Sequence, residues 1–131
     1  MKICLDTCAY SQFKRGNQTA SDLVSKARWV GMPVIVLGEL RTGFRSGKYF
    51  DRNELELQAF LNNPVVHILD VDEIASSHYS ETVAELRLAG TPIPTNDIWV
   101  AAIAIREGAV VVTYDGHFKL IHRVATHLLS I

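Results

Sequence analysis

Apolar residues fall along this chain in two kinds of block. Short continuous runs, at residues 1–5, 34–37, 65–69 and 109–113, are rich in Val, Ile and Leu. That is the pattern of strands covered on both faces. Between them, longer segments repeat apolar residues at helical spacing. Leu23, Val24, Ala27 and Val30 follow Thr19-Ala20-Ser21-Asp22, a capping box with Asp in place of the usual Glu or Gln, and Gly31 and Pro33 are expected to close that helix. A helix carrying Glu39, Leu40 and Arg41 follows the second run and ends near Ser46-Gly47. Residues 51–61 form another amphipathic helix, broken by Asn62-Asn63-Pro64. Asp72 is suited to cap a long helix through Ala89, with Ile74, Ala75, Tyr79, Val83 and Leu86 on one side and Gly90 at its end.

After the stiff Thr91-Pro92-Ile93-Pro94, Thr95 is placed to cap a helix whose residues 98–105 are apolar all round, as a helix buried on most sides requires. Gly108 stops it before the fourth strand. Residues 115–121 read as a turn or short helix and 124–131 as a final edge strand.

Strands alternating with helices predict a three-layer α/β/α fold with an open, mostly parallel sheet of four to five strands. The 131 residues fit a single domain, 1–131. Two helices lie between the third and fourth strands where a crossover needs one. Either the loop at 90–95 returns the chain to the carboxyl edge of the strands, or the long helix lies obliquely.

Composition narrows the picture. The chain is 48% apolar and 21% charged, as globular proteins are. No apolar run is long enough to span a membrane, and the opening MKICLDTCAY, interrupted by Asp6, does not read as a secretory leader. A cytoplasmic protein with reduced thiols is expected, Cys4 serving as a buried filler. The separation of Cys4 and Cys8 is not that of a zinc site. A net charge of −1 offers no broad basic surface for a polyanion, yet Lys14, Arg15, Arg41, Arg45, Lys48 and Arg52 gather in the first half.

The acids carry the chemistry. Asp6 directly follows the first strand, Glu39 lies in the first turn of the helix after the second, and Asp115 comes two residues after the fourth strand ends at Thr113. Asp97 is in the first turn of the buried helix, which runs against the strand it feeds. All four therefore converge on the carboxyl rim of the sheet, where open α/β folds bind ligands. Singly, each is most simply a helix cap or a solvated acid. Together they repel one another unless a cation intervenes, and a set of hard oxygen donors suits Mg²⁺ or Mn²⁺. Such a site suits phosphodiester hydrolysis without a histidine base or serine nucleophile.

At these positions the sequence resembles the PIN-domain nucleases, and within them the VapC-type toxins. The matching segments are Leu5-Asp6-Thr7, Leu37-Gly38-Glu39-Leu40-Arg41-Thr42-Gly43, Asn96-Asp97-Ile98-Trp99-Val100-Ala101-Ala102 and Thr113-Tyr114-Asp115-Gly116-His117-Phe118, in the family's order and over nearly the whole chain. The resemblance implies a Rossmann-like sheet with Asp6, Glu39, Asp97 and Asp115 as catalytic metal ligands. It further implies Mg²⁺- or Mn²⁺-dependent endonucleolytic cleavage of RNA, a homodimer, and a cognate antitoxin whose tail blocks the acidic groove. Thr7 and Thr113 would be supporting polar residues. Cys8 departs from the Asn or Ser of many relatives.

Two other readings compete. A PIN-fold module that binds RNA or protein without catalysis would also tolerate the acidic balance and Cys8. A phosphoacceptor domain would use Asp6 as nucleophile, but it wants a Lys after the fourth strand, and Lys119 comes late. Arg41 and Arg45, spaced i,i+4, are candidates for RNA-phosphate contacts or a solvated face. His117 is expected to make a structural hydrogen bond or meet phosphate. Phe118, Trp29 and Trp99 are expected to pack.

Overall fold

A computed structural model describes residues 1–131. Five strands form one sheet: β1 (Lys2–Leu5), β2 (Trp29–Pro33), β3 (Val66–Leu69), β4 (Val110–Thr113) and β5 (Thr126–Leu128). Their order is β3-β2-β1-β4-β5 and every pairing is parallel. The first strand in sequence is thus the middle strand in space, so its carboxyl end lies at the centre of the rim.

The connections decide the layers. Helices α1 (Thr7–Lys14), α2 (Gln18–Lys26), α3 (Val34–Ser46) and α4 (Phe50–Leu61) lie on the two outward steps from β1 to β3. Helices α5 (Glu73–Ala89) and α6 (Thr95–Glu107) carry the return step to β4. Right-handed crossovers put the two groups on opposite faces. A short 3₁₀ helix, Gly116–Leu120, precedes β5.

The core contains Ile3, Leu5, Met32, Leu57, Ile103, Val111, Val112 and Phe118, all almost wholly excluded from solvent. Ala101, Ala102 and Ala104 are fully buried as well, and their small side chains let α6 lie close on the sheet.

The doubled crossover is settled by the second helix. Near the end of α6, Arg106 donates to the Asp70 carbonyl at 2.7 Å and to Asp72 Oδ1 at 2.8 Å, beside the start of α5. The Tyr79 and Trp99 rings stack 4.0 Å apart between the same helices. The pair is therefore antiparallel, and the turn after Gly90 (φ 69°) brings the start of α6 back to the carboxyl rim. The cap by Asp72, which accepts from Ala75 N at 2.9 Å, and the stops at Gly90 and Gly108 are as expected.

Four local expectations are corrected. The run Val34-Ile35-Val36-Leu37 is not a strand but the opening of α3, and the second strand is Trp29–Pro33. Four apolar residues are too few to separate a buried helical turn from a strand, and Pro33, with no N–H to give the ladder, ends β2. Val30 and Gly31 accordingly belong to that strand. The helix before it begins earlier, capped by Asn17, whose Oδ1 accepts from Ala20 N at 3.1 Å and from the Tyr114 hydroxyl at 2.9 Å, the latter a tertiary partner with no local signal. Thr95 is the first residue of α6 instead of its cap, which is Pro94. Helix α1 had no expectation at all. β3 is an edge strand with His67 and Ile68 exposed, so its apolar run does not mark two covered faces.

Gly31 has a specific reason to be Gly. A Cβ there would lie 2.6 Å from Leu69 Cδ1 and 2.9 Å from both Cys4 Sγ and the Trp29 ring. Gly31→Ala is expected to lower stability by about 1–3 kcal/mol through overpacking, read as a lower urea midpoint. An unchanged midpoint would show that Leu69 and Cys4 yield without strain.

Candidate metal centre

The site begins where β1 ends. Asp6 leaves the central strand and at once becomes the cap of α1, its Oδ1 accepting from Ala9 N at 2.8 Å. Its other oxygen accepts a hydrogen bond from the Thr113 hydroxyl at the end of β4. Helix α1 and the neighbouring strand β4 thus fix one carboxylate through both oxygens, and Asp6 is 7% exposed. Thr113 Oγ1 in turn accepts from Asp115 N at 2.9 Å, which sets the chain leaving β4.

The remaining acids arrive from three elements. Glu39 lies in the second turn of α3, since that helix starts before the expected position. Thr7 Oγ1 donates to Glu39 Oε1 at 2.6 Å, and Asn96 Nδ2 donates to Oε2 at 3.3 Å. Asp97 stands in the first turn of α6. Asp115 caps the 3₁₀ helix, accepting from His117 N at 2.9 Å. The His117 ring closes the group: Nδ1 is 3.4 Å from Asp97 Oδ2 and 3.2 Å from Asp115 Oδ1. One ligand atom from each of Asp97, Asp115 and His117 falls within 4.8 Å of the others.

The electrostatics follow from this crowding. Burial pushes the Asp6 carboxyl up to about 6, against the Thr113 and Ala9 hydrogen bonds that favour its charge, with Asp97 and Asp115 adding repulsion. Asp97 is also raised, first by burial and then by Asp115 and Glu39, against the stabilising contact with His117. Acids that perturb one another across four segments form one electrostatic unit. The donors are carboxylate oxygens with one imidazole nitrogen, a set compatible with a hard divalent cation.

The four acids expected at the rim are therefore brought together, and Thr7 and Thr113 are hydrogen-bonded to two of them. Arg41 and Arg45 take other partners. Arg41 makes two hydrogen bonds to Glu54 of α4, both 3.0 Å, and Arg45 lies over the Phe50 ring at 4.5 Å. Cys8 is half-buried beside the acids, its thiol pushed up by burial and then by Asp6, whereas Cys4 is a core filler pushed up to about 12 chiefly by burial. Trp99 packs as expected, and Trp29 stacks on His67 at 5.0 Å. Sequence reasoning assigned Asn96 no role, although it sits beside Asp97. It read His117 singly, and only the fold shows that it bridges two acids.

The model of the PIN domain matches residues 3–124. The chain belongs to the PIN-domain family. Within it, this PIN domain is 32% identical over 117 residues to ribonuclease VapC2 of Rickettsia felis, covering 86% of each chain. It is 31% identical over 88 residues to ribonuclease VapC4 of Mycobacterium tuberculosis, covering 67% of this chain and 68% of that one. Among solved structures, it superposes with a TM-score of 0.87 on a chain of the VapBC2 complex of R. felis bound to a promoter DNA fragment, at 27% identity and over 99% of this chain and 100% of that one.

The raised Asp6 pKa costs native-state stability at neutral pH. A carboxyl whose folded pKa exceeds its unfolded value penalises the native state when ionised, so the penalty is absent below about pH 4, grows as pH rises, and is complete above about 6. In chelator, the stability of the PIN domain is expected to fall across this window by on the order of 2 kcal/mol. Asp6→Asn should flatten that slope. Denaturant midpoints measured across the window check it, and a parallel profile for the two proteins would contradict it.

Proposed function

We propose that this PIN domain is a divalent-metal-dependent endoribonuclease, the toxin of a toxin–antitoxin pair, acting at the rim built by Asp6, Glu39, Asp97 and Asp115. The observation that carries the reading is the joining of these acids from β1, α3, α6 and the end of β4 into one electrostatically coupled cluster. Membership of a family whose similar chains are named VapC ribonucleases supports it.

Mg²⁺ or Mn²⁺ is the cofactor of this reading; Asp97, Asp115 and His117, whose ligand atoms cluster, would hold it together with Asp6 and Glu39. Such an ion supplies positive charge against the acids and the phosphate, and makes an attacking water more acidic. The protein's own contribution is orientation. Thr113 and Ala9 N hold Asp6 in one rotamer, and Thr7 and Asn96 hold Glu39 by both oxygens. The acids are thereby preorganised before substrate arrives.

The partners of this reading are an RNA substrate, a cognate antitoxin and a second copy of the chain, in the cytoplasm. Support for the antitoxin comes from complexes named VapBC among the similar structures, including that of Salmonella typhimurium, with a TM-score of 0.86 at 26% identity over 97% of each chain. No helix is long and apolar enough to cross a membrane.

Purified protein is expected to cut RNA internally with Mn²⁺ or Mg²⁺ and to lose this activity in chelator. Asp6→Asn, Glu39→Gln, Asp97→Asn and Asp115→Asn should each lower the rate by at least about 10²-fold, since each removes part of a charge arrangement that contributes several kcal/mol. Gel analysis of cleavage products checks this. Equal cleavage with and without chelator, or by Asp6→Asn, would reject the site.

A further inference from the structure

The cations of the first half of the chain are sorted by the fold. Arg41 is taken up by Glu54 and Arg45 by the Phe50 ring. Lys14, Arg15 and Arg52 line a groove of about 510 Å³ between α1, α3 and α4, Arg52 also lying over the Tyr49 ring at 4.5 Å. Thr7 and Glu39, already hydrogen-bonded at the acid cluster, line the same groove, so the cationic walls and the acids share one continuous opening.

The geometry of α1 makes the groove directional. Thr7, Ser11 and Lys14 follow one another at helical spacing and all face it. From Thr7 to Lys14 is roughly 10 Å along the helix axis. The acid opposing the cations is Glu56, 3.9 Å from Lys14 and 4.0 Å from Arg52. Arg15 is in the groove wall and in no ion pair. The outer groove therefore keeps an excess of positive charge directly beside a negative rim. Its floor includes the apolar Tyr10, Leu40 and Phe44.

We propose that this groove seats the RNA strand on one side of the cleaved bond, with Lys14, Arg15 and Arg52 contacting successive phosphates and the bases turned toward the apolar floor. The inference rests on the ribonuclease reading for the identity of the strand. A substrate held at the acids must leave them along some surface, and a wall where three cations share the single acid Glu56 keeps the excess positive charge that a phosphate backbone matches. Arg41 and Arg45 then serve the α3–α4 hairpin, not the substrate.

The test measures binding, apart from hydrolysis. Anisotropy of a short fluorescein-labelled unstructured RNA is titrated with full-length protein in chelator at several low salt concentrations. Lys14→Gln/Arg15→Gln/Arg52→Gln is expected to weaken binding by about 10-fold or more and to reduce the magnitude of the log–log salt slope by about 2, near 0.7 per lost single-strand contact. Arg15→Gln, which breaks no ion pair and so leaves the fold unburdened, should give a smaller loss in the same direction. Arg41→Gln/Arg45→Gln should bind within about twofold of wild type. Unchanged affinity and slope in both groove variants would overturn the proposal and leave the groove to another occupant, such as a peptide of a partner protein. A larger loss in Arg41→Gln/Arg45→Gln would overturn it too. If wild type binds RNA through the groove but cuts nothing with Mn²⁺, the groove stands and the ribonuclease reading falls. If wild type cuts RNA and the triple variant binds it normally, the outcome is the reverse.

Discussion

One buried carboxylate organises the working end of this molecule. Asp6 sits at the end of the middle strand, where it caps α1 through one oxygen and receives the Thr113 hydroxyl of the neighbouring strand through the other. These bonds make its burial tolerable, because a desolvated carboxylate without donors costs several kcal/mol. They also fix where everything else must stand. Thr113 receives the amide of Asp115, and the residue after Asp6 is Thr7, which fixes Glu39. Hydrogen bonds thus tie β4 to β1 through Thr113 and Asp6, and the next residue, Thr7, ties on to α3 through Glu39; carboxylates accumulate along this path, with His117 beside two of them. The fold sets a cluster of like charges where its own stability would be better served by neutral residues. Such local strain against stability is expected where function and not folding decides the residue.

The architecture was largely readable because it rests on long-period signals. The helices at 50–61, 73–89 and 95–107 announce themselves by spacing and by Asp72, Gly90 and Gly108 at their ends. Strands separated by helices leave few topologies once right-handed crossovers are required. Errors fell where a decision depended on a distant partner. Asn17 prevails as a cap because Tyr114, far along the chain, bonds the same side-chain oxygen. Gly31 sits in a strand because Cys4 and Leu69 from adjacent strands close over it, whereas its sequence context reads equally as a helix stop. The run 34–37 misled for another reason. A helix entering the core is apolar on its first turn, and β-branched residues there imitate a strand.

The acids could be placed despite that error because the placement needs only the rim. Whether Glu39 is in the first or second turn of α3, it remains near the carboxyl end of β2. Residues whose role lies in pairing with another side chain could not be placed. His117 stands two residues after Asp115, but nothing in sequence says that Asp97, twenty residues before His117, shares the same imidazole. Arg41 is next but one to Glu39 and looked like a phosphate ligand, yet Glu54 on the next helix takes it with two hydrogen bonds. Proximity in sequence identified the neighbourhood but could not show the partner Arg41 takes in the fold.

That last pairing explains how a chain with net charge −1 can face a polyanion. Net charge is a sum over pairs that largely cancel where they meet, as Arg41 does against Glu54, Arg106 against Asp72 and Arg123 against Glu81 and Glu85. What a strand of phosphates encounters is the remainder, screened beyond about 10 Å. Here the remainder is divided: acids on the rim, and Lys14, Arg15 and Arg52 over Glu56 in the adjoining groove. A uniformly basic surface would hold RNA without selecting which bond meets the acids. A negative point beside a short positive wall instead holds the strand from one side, so that the groove sets the register in which a bond meets the acids.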